Sequence, residues 1–267
     1  MSTRSKGSLV WKVLISVALV VVILMIVAEF GLRWYISDSM KKQLVADSGS
    51  QASAQSVADA SISFGPTPLL LSALTKNIPS VDIDTPSTLN ISEGNPPSVV
   101  GTPAAQLQIS DLDTADPNNP IAGHLVVHTQ LPEKYLLAQI QLAMAQQQAS
   151  QGNDIASQLM ANFVRVTDVQ ANGEKGTIDV TFTDGAANLS IRPTSRDGSV
   201  TFEAENAQLF GFNLPQQATA AITDALDKQA ANAGGNLSVD EIRVQNDILD
   251  IAFSGNDVPL SEAQQQR

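Results

Sequence analysis

From residue 13 to residue 28 the chain is apolar apart from Ser16, and Leu9, Val10 and Trp11 on one side with Phe30 and Leu32 on the other lengthen the run. A helix of about 20 such residues covers the hydrocarbon core of a bilayer, so the segment is read as a single membrane span. Trp11, Trp34 and Tyr35 suit its two interfaces, and Lys12 and Glu29 lie close enough to its ends to reach the headgroups. Arg4 and Lys6 ahead of an apolar core also fit a cleaved signal peptide, with Val27 and Ala28 in a poor cleavage site. The run exceeds the roughly 7 to 15 residues of a signal core, which favours an uncleaved anchor. Either way the rest of the chain is exported.

Basic residues lie on both sides of the span, Arg4, Lys6 and Lys12 before it and Arg33, Lys41 and Lys42 after it, so their count does not orient it. The short, acid-free N-terminal tail favours a cytoplasmic start and a domain on the extracytoplasmic, periplasmic side of the plasma membrane. Ala28, Leu32, Ile36, Met40 and Leu44 recur every four residues and extend the helix to about Asp47. The expected organisation is therefore tail, span and juxtamembrane helix over residues 1–47, a Ser/Ala/Gln-rich linker over 48–56, one folded domain over 57–260, and a tail over 261–267.

Charge and composition remove several classes of function. Residues 1–42 hold six Lys/Arg and two Asp/Glu, leaving nine basic against twenty-five acidic residues for the remainder. An exported domain of that sign repels polyphosphate and excludes nucleic acid as a partner. It also obliges any contact with anionic lipid to rest on apolar burial. The absence of cysteine removes disulfides, thiolate metal sites and cysteine nucleophiles. With only 4% aromatic residues, the interior must be filled by Ala, Val, Leu and Ile.

Period-two alternation predicts strands over 57–64, 78–91, 104–113 and 121–130, separated by Pro-rich turns at 95–103 and 116–120. Pro79 and Pro86 mark the second as an edge strand. Pro132-Glu133 opens a helix to about Gln148, and Leu214-Pro215 opens another to about Ala231, closed by Gly234-Gly235. After each helix the pattern is similar: residues 164–169 (VRVTDV) and 178–182 (IDVTF) against 237–242 (LSVDEI) and 249–253 (LDIAF). Either a strand, helix and hairpin unit is duplicated, or alternating strands simply resemble one another. The fold class expected is α+β, with a long curved antiparallel sheet wrapping two helices against its concave side.

The search for chemistry returns no catalytic, metal or cofactor site. His124 and His128, four apart on a strand, share a face about 13 Å apart, too far for one metal ion. No G-x-S-x-G elbow, P-loop or G-x-G-x-x-G is present. Asp111, Asp113 and Asp116 resemble a calcium-loop fragment without its Gly and closing Glu, and a solvated acidic turn is the better reading.

Apolar features stand out instead. Phe64, Pro68, Leu69, Leu70, Leu71 and Leu74 make a Pro-bracketed apolar turn, either a short helix plugging one end of the sheet or a lip at the mouth of a lipid cavity. Leu136, Leu137, Ile140 and Met144 form a wide stripe on the first helix; Ala218, Ala221, Ile222, Ala225 and Leu226 form one of small residues on the second. Small residues there either permit close packing or leave an acyl-chain groove.

The apolar start, residues 61–71 (SISFGPTPLLL), residues 78–83 (IPSVDI), the two Leu-Pro helix starts and residues 249–258 (LDIAFSGNDV) together resemble the LmeA-like phospholipid-binding proteins of mycobacterial-type cell envelopes. The resemblance covers most of residues 28–260. It implies a fold akin to the tubular lipid-binding proteins, an extracytoplasmic location and a role in envelope lipoglycan maturation. The chain departs from the family in its Gln/Ser-rich stretch at 146–158 and its low aromatic content.

The function expected is therefore non-catalytic binding of a phospholipid or glycolipid at the plasma membrane, through Phe64, Pro68, Leu69, Leu70, Leu71, Leu74, Leu136, Leu137, Ile140, Met144, Ile222 and Leu226. The alternative is a membrane-anchored scaffold with a packed core that recruits envelope enzymes through its acidic face. An esterase or glycosidase acting on lipoglycan ranks third, for want of a motif.

Overall fold

Strict alternation converts directly into strand, and the decapeptide between Pro103 and Thr114 does so over the whole predicted length. The structure, a computed structural model, describes residues 60–150, 165–233 and 237–260 together with Glu29 and Gly31. The expected span, juxtamembrane helix, linker, Gly234-Gly235 cap and C-terminal tail lie outside the described residues, among which no helix is long and apolar enough to cross a membrane. The described elements are β1 (Ser61–Phe64), α1 (Leu69–Thr75), β2 (Asn77–Thr85), β3 (Asn90–Ser92), β4 (Ser98–Val100), β5 (Ala104–Asp113), β6 (Ile121–Pro132) and α2 (Glu133–Ser150). They continue with β7 (Val166–Asn172), β8 (Thr177–Phe182), a 3-10 turn (Thr183–Gly185), β9 (Ala187–Arg196), β10 (Ser199–Leu209), β11 (Phe212–Asn213), α3 (Gln216–Ala233), β12 (Ser238–Gln245) and β13 (Ile248–Pro259).

The strands form a six-stranded sheet in the order β1-β2-β5-β6-β13-β12, a five-stranded sheet in the order β11-β10-β9-β8-β7, and the separate hairpin β3-β4. All pairings are antiparallel. The class is thus α+β, but the one long sheet expected from sequence is two open sheets. The division falls at β12, whose ladder to β13 shifts register between Val239 and Glu241. There the Val239 amide donates to the Gly198 carbonyl at the β9-β10 turn (2.8 Å) and the Ser195 hydroxyl donates to the Val239 carbonyl.

The expected strand 78–91 breaks at Thr85 and resumes as β3. Nor is β2 an edge: it pairs with both β1 and β5. Pro79 is tolerated because β1 ends opposite Val81, and the last bond on that side is from the Gly65 amide to the Ser80 carbonyl (3.1 Å). No ladder donor is lost beyond it.

Two separate clusters form the interior. One is built on Val81, Ile109, Ala122, Leu125 and Val258 of the six-stranded sheet. The other joins Val166, Val169, Ile178 and Val180 to Leu249, and against it pack Leu136, Leu137, Ile140 and Met144 of α2. The start of α2 is held from two sides: the Glu133 amide donates to the Asp247 carbonyl (3.1 Å) and its carboxylate accepts the Ala171 amide.

The second helix does not present its small-residue stripe to a concave sheet. α3 runs along the open edge of β10, where Thr223 Oγ1 accepts the Ala204 amide (3.0 Å) and Asp227 Oδ1 accepts the Phe202 amide (2.7 Å), while Ala221 is exposed and Ile222 and Leu226 are half-buried. Side chains four apart on a helix rise about 6 Å and amides two apart on a strand about 6.6 Å, so the two spacings match. The helix covers an edge that would otherwise invite another strand.

The two hairpins that look alike in sequence also share an irregularity. β7-β8 shifts register between Val166 and Asp168, and β12-β13 does so between Val239 and Glu241, at the corresponding place. Their outward partners differ: β8 pairs with β9, the next strand in the chain, and β13 with β6, from the N-terminal half.

Because Asp227 satisfies an edge amide with a charged acceptor, Asp227→Ala should lower the free energy of urea unfolding by ~1–3 kcal/mol. The exposed neighbour Asp224→Ala should change it by no more than ~0.5 kcal/mol. Equal values for the two would remove the edge-capping role of α3.

Candidate functional site

One face of the six-stranded sheet is polar and the other apolar, as alternation requires. The polar face carries Asp84, Gln106, His128, Gln130 and Asp250 around a shallow hollow of about 260 Å³. His124 and His128 both lie on it, and His124 Nδ1 is 2.9 Å from Asn256 Oδ1. Among the described residues no three His, Asp or Glu side chains are grouped to hold a metal ion.

On the apolar face the register aligns side chains into rows that cross the strands. Phe64, Val81, Ile109 and Leu125 are opposite one another in turn, and the last three are at most 4% exposed. At the other end Leu131, Leu249 and Val244 face one another beneath α2. Between these two ends lies the row Ile62, Ile83, Leu107, Val127 and Phe253, every member half-buried. Ile62, Ile83 and Val127 pack against the first cluster, whereas Leu107 and Phe253 belong to neither. The row beside it, Thr85, Ala105, Thr129 and Ile251, is also half-buried.

The middle of this face is therefore a continuous apolar strip across five strands, partly exposed along its length. At about 4.8 Å per strand the strip is ~19 Å long, against the ~15 Å depth of one acyl layer in a bilayer. Covering it with hydrocarbon gains of order 1 kcal/mol per half-exposed large side chain.

α1 stands next to β2. It has no side-chain cap from Pro68; instead both oxygens of the Glu29 carboxylate accept backbone amides, Leu69 at 2.7 Å and Leu70 at 3.1 Å. A carboxylate there satisfies two orphan donors and opposes the positive end of the helix. Glu29 immediately follows the apolar run of residues 13–28. Leu69 and Ser72 are buried, whereas Leu71 is 50% and Leu74 83% exposed. The segment thus turns one face inward and one face out. Among the described residues Ser72 Oγ and Asn77 Oδ1 are buried without a hydrogen-bond partner.

The expected site residues divide accordingly. Phe64 belongs to the first cluster, and Leu136, Leu137, Ile140 and Met144 to the second; Leu70 is half-buried and Pro68 exposed. Ile222 and Leu226 are not brought to either cluster, since α3 lies against β10. The groove between α3 and β10, about 450 Å³, is lined by polar residues such as Thr194, Arg196, Glu203, Thr219 and Asp224. Helix-centred reading missed the strip formed by Ile62, Ile83, Leu107, Val127 and Phe253. Its signal was the alternation of the strands, once the register is known.

A family model described as LmeA-like phospholipid-binding matches residues 27–254. The match takes in Glu29, α1 and every residue of the strip. No curated protein and no solved structure matches the chain.

Ser72→Ala removes a buried, unpaired hydroxyl and should raise stability by ~1 kcal/mol. Glu29→Ala removes two charge-assisted bonds and should speed hydrogen exchange of the Leu69 and Leu70 amides by about tenfold or more. Unchanged exchange would mean that Glu29 does not hold α1.

Proposed function

The chain belongs to the LmeA-like phospholipid-binding family, and on that premise we propose that the half-open strip Ile62, Ile83, Leu107, Val127 and Phe253 is where it holds the acyl chain of a phospholipid. What supports this is a continuous apolar row of partly exposed side chains, of which Leu107 and Phe253 pack against neither cluster. Leu136, Leu137, Ile140 and Met144 of α2 wall one end, and Phe64 with α1 the other. Binding replaces water over aliphatic side chains and makes or breaks no covalent bond, so the role is one of holding and handing on lipid.

The rest of the reading concerns place. The apolar run of residues 13–28 anchors the domain to the plasma membrane on its extracytoplasmic side. Glu29, at the end of that run, ties it to α1, which sets exposed Leu71 and Leu74 at the bilayer surface, where a lipid would pass from membrane to strip. With the acidic polar face turned to solvent, the domain supports envelope lipoglycan maturation by presenting or transferring the lipid or a related glycolipid. The rival, a scaffold that recruits enzymes through that acidic face, requires the strip to be solid packing.

Filling the strip separates the two. Leu107→Trp or Val127→Phe occupies space that a groove has free, so the full chain, extracted in mild detergent and weighed intact, should lose about tenfold of its bound phospholipid, with melting temperature little changed. A packed interior gives the opposite pattern: destabilisation by ~1–3 kcal/mol from overpacking and the same lipid content as the unaltered chain.

A further inference from the structure

A second apolar feature lies far from the strip, at the turn between β10 and β11. Leu209 pairs with Phe212, and Phe210-Gly211 forms the two-residue loop between them. Leu209 is 44%, Phe210 72% and Phe212 78% exposed, so three large apolar side chains, two of them aromatic in a chain with only eight Phe, face solvent together. Both loop residues have positive φ, 50° at Phe210 and 78° at Gly211, the geometry of a type I′ turn.

Such a turn favours Asn or Asp at its first central position, and a bulky side chain in the left-handed region is strained. The strain is not a sign of looseness. The Phe210 amide donates to the Ala186 carbonyl (2.6 Å), the Leu214 amide to the Ala207 carbonyl (2.8 Å), and Gln208 Nε2 to Asn213 Oδ1 (3.0 Å). Phe210 therefore carries a conformational cost that its own fold does not offset by burying it, and the return must come from contact with something else.

Charge identifies that something. From Asn206 to Thr223 the sequence holds no charged residue, although the exported part of the chain is strongly acidic. An acidic partner is repelled by the flanking Glu203, Glu205 being paired with Arg192, and a basic protein partner would find no carboxylate between Asn206 and Thr223. A neutral tip bearing aromatic rings suits the interface of a bilayer, where apolar area is covered without desolvating a charge. Asp184, exposed two residues before Ala186, confines the approach to headgroup depth.

We propose that the β10-β11 hairpin is a membrane-insertion point, with Phe210 and Phe212 entering the interface of a phospholipid bilayer. It is a contact with the membrane as a surface, beyond the holding of a single lipid in the strip.

The chain has no cysteine, so a single introduced thiol can carry a spin label. Full-length protein labelled at Phe212→Cys and reconstituted into phosphatidylcholine and phosphatidylglycerol liposomes should show a severalfold higher ratio of oxygen to nickel-chelate accessibility than protein labelled at Gln106→Cys on the polar sheet face. Adding Phe210→Asn, which suits the turn, should keep the melting temperature and reduce that ratio. Equal ratios at the two positions overturn the proposal, as does a Phe212 label shielded from both reagents without lipid, which would mark a protein contact or a second copy. Intact mass of the same samples reads the strip independently: retained lipid with a water-exposed hairpin overturns this inference alone, and an inserted hairpin without retained lipid supports it while overturning the strip.

Discussion

The pairing of β6 with β13 runs from Ile121 opposite Pro259 to Pro132 opposite Ile248, and it joins the N-terminal hairpins to the C-terminal one. Because side chains alternate between faces, that register decides which residues share a surface: Val127 meets Phe253 on the apolar side, His128 meets Ala252 on the other. A slip of β13 by one residue against β6 would bring Phe253 out beside His128 and turn Asp250 inward. The strip, the two clusters that bound it and the polar outer face are all consequences of this one alignment.

Two buried clusters with a partly exposed row between them make up the apolar face. Val81, Ile109 and Leu125 at one end and Val166, Val169 and Leu249 at the other are buried as in any core, and their cost of removal is that of core residues. The middle row keeps part of its apolar area in contact with water, and covering that area is favourable. Scarce aromatic residues fit the same arrangement. Aliphatic rows leave a shallow, even surface, and the conspicuous aromatic exposure is at Phe210 and Phe212, well away from it.

Much of this was legible in the sequence. Strand β5 follows the alternation of residues 104–113 from end to end, and both Leu-Pro helix starts are read correctly because proline and a neighbouring turn leave little choice. What failed were statements about partners. The split into two sheets depends on a bulge at Asp240 and on β8 pairing with β9, neither of which alternation encodes. The docking face of α3 was missed because nothing in the sequence marks Thr223 and Asp227 as partners of the open edge of β10. Phe210-Gly211 escaped notice since a type I′ turn is expected to announce itself with Asn or Asp. The strip itself required cross-strand register, while the sequence offered the Phe64 to Leu74 turn and two helical stripes as candidates.

The central claim is that lipid lies along Leu107, Val127 and Phe253, and the most direct measurement is photo-crosslinking with a phospholipid bearing a diazirine near the end of one acyl chain, followed by peptide mapping of the full-length protein. The account predicts adducts on β5, β6 and β13, at residues of the apolar face, reduced by an excess of unlabelled phospholipid. Adducts confined to the N-terminal apolar run and the β10-β11 hairpin, with none on those three strands, would contradict it.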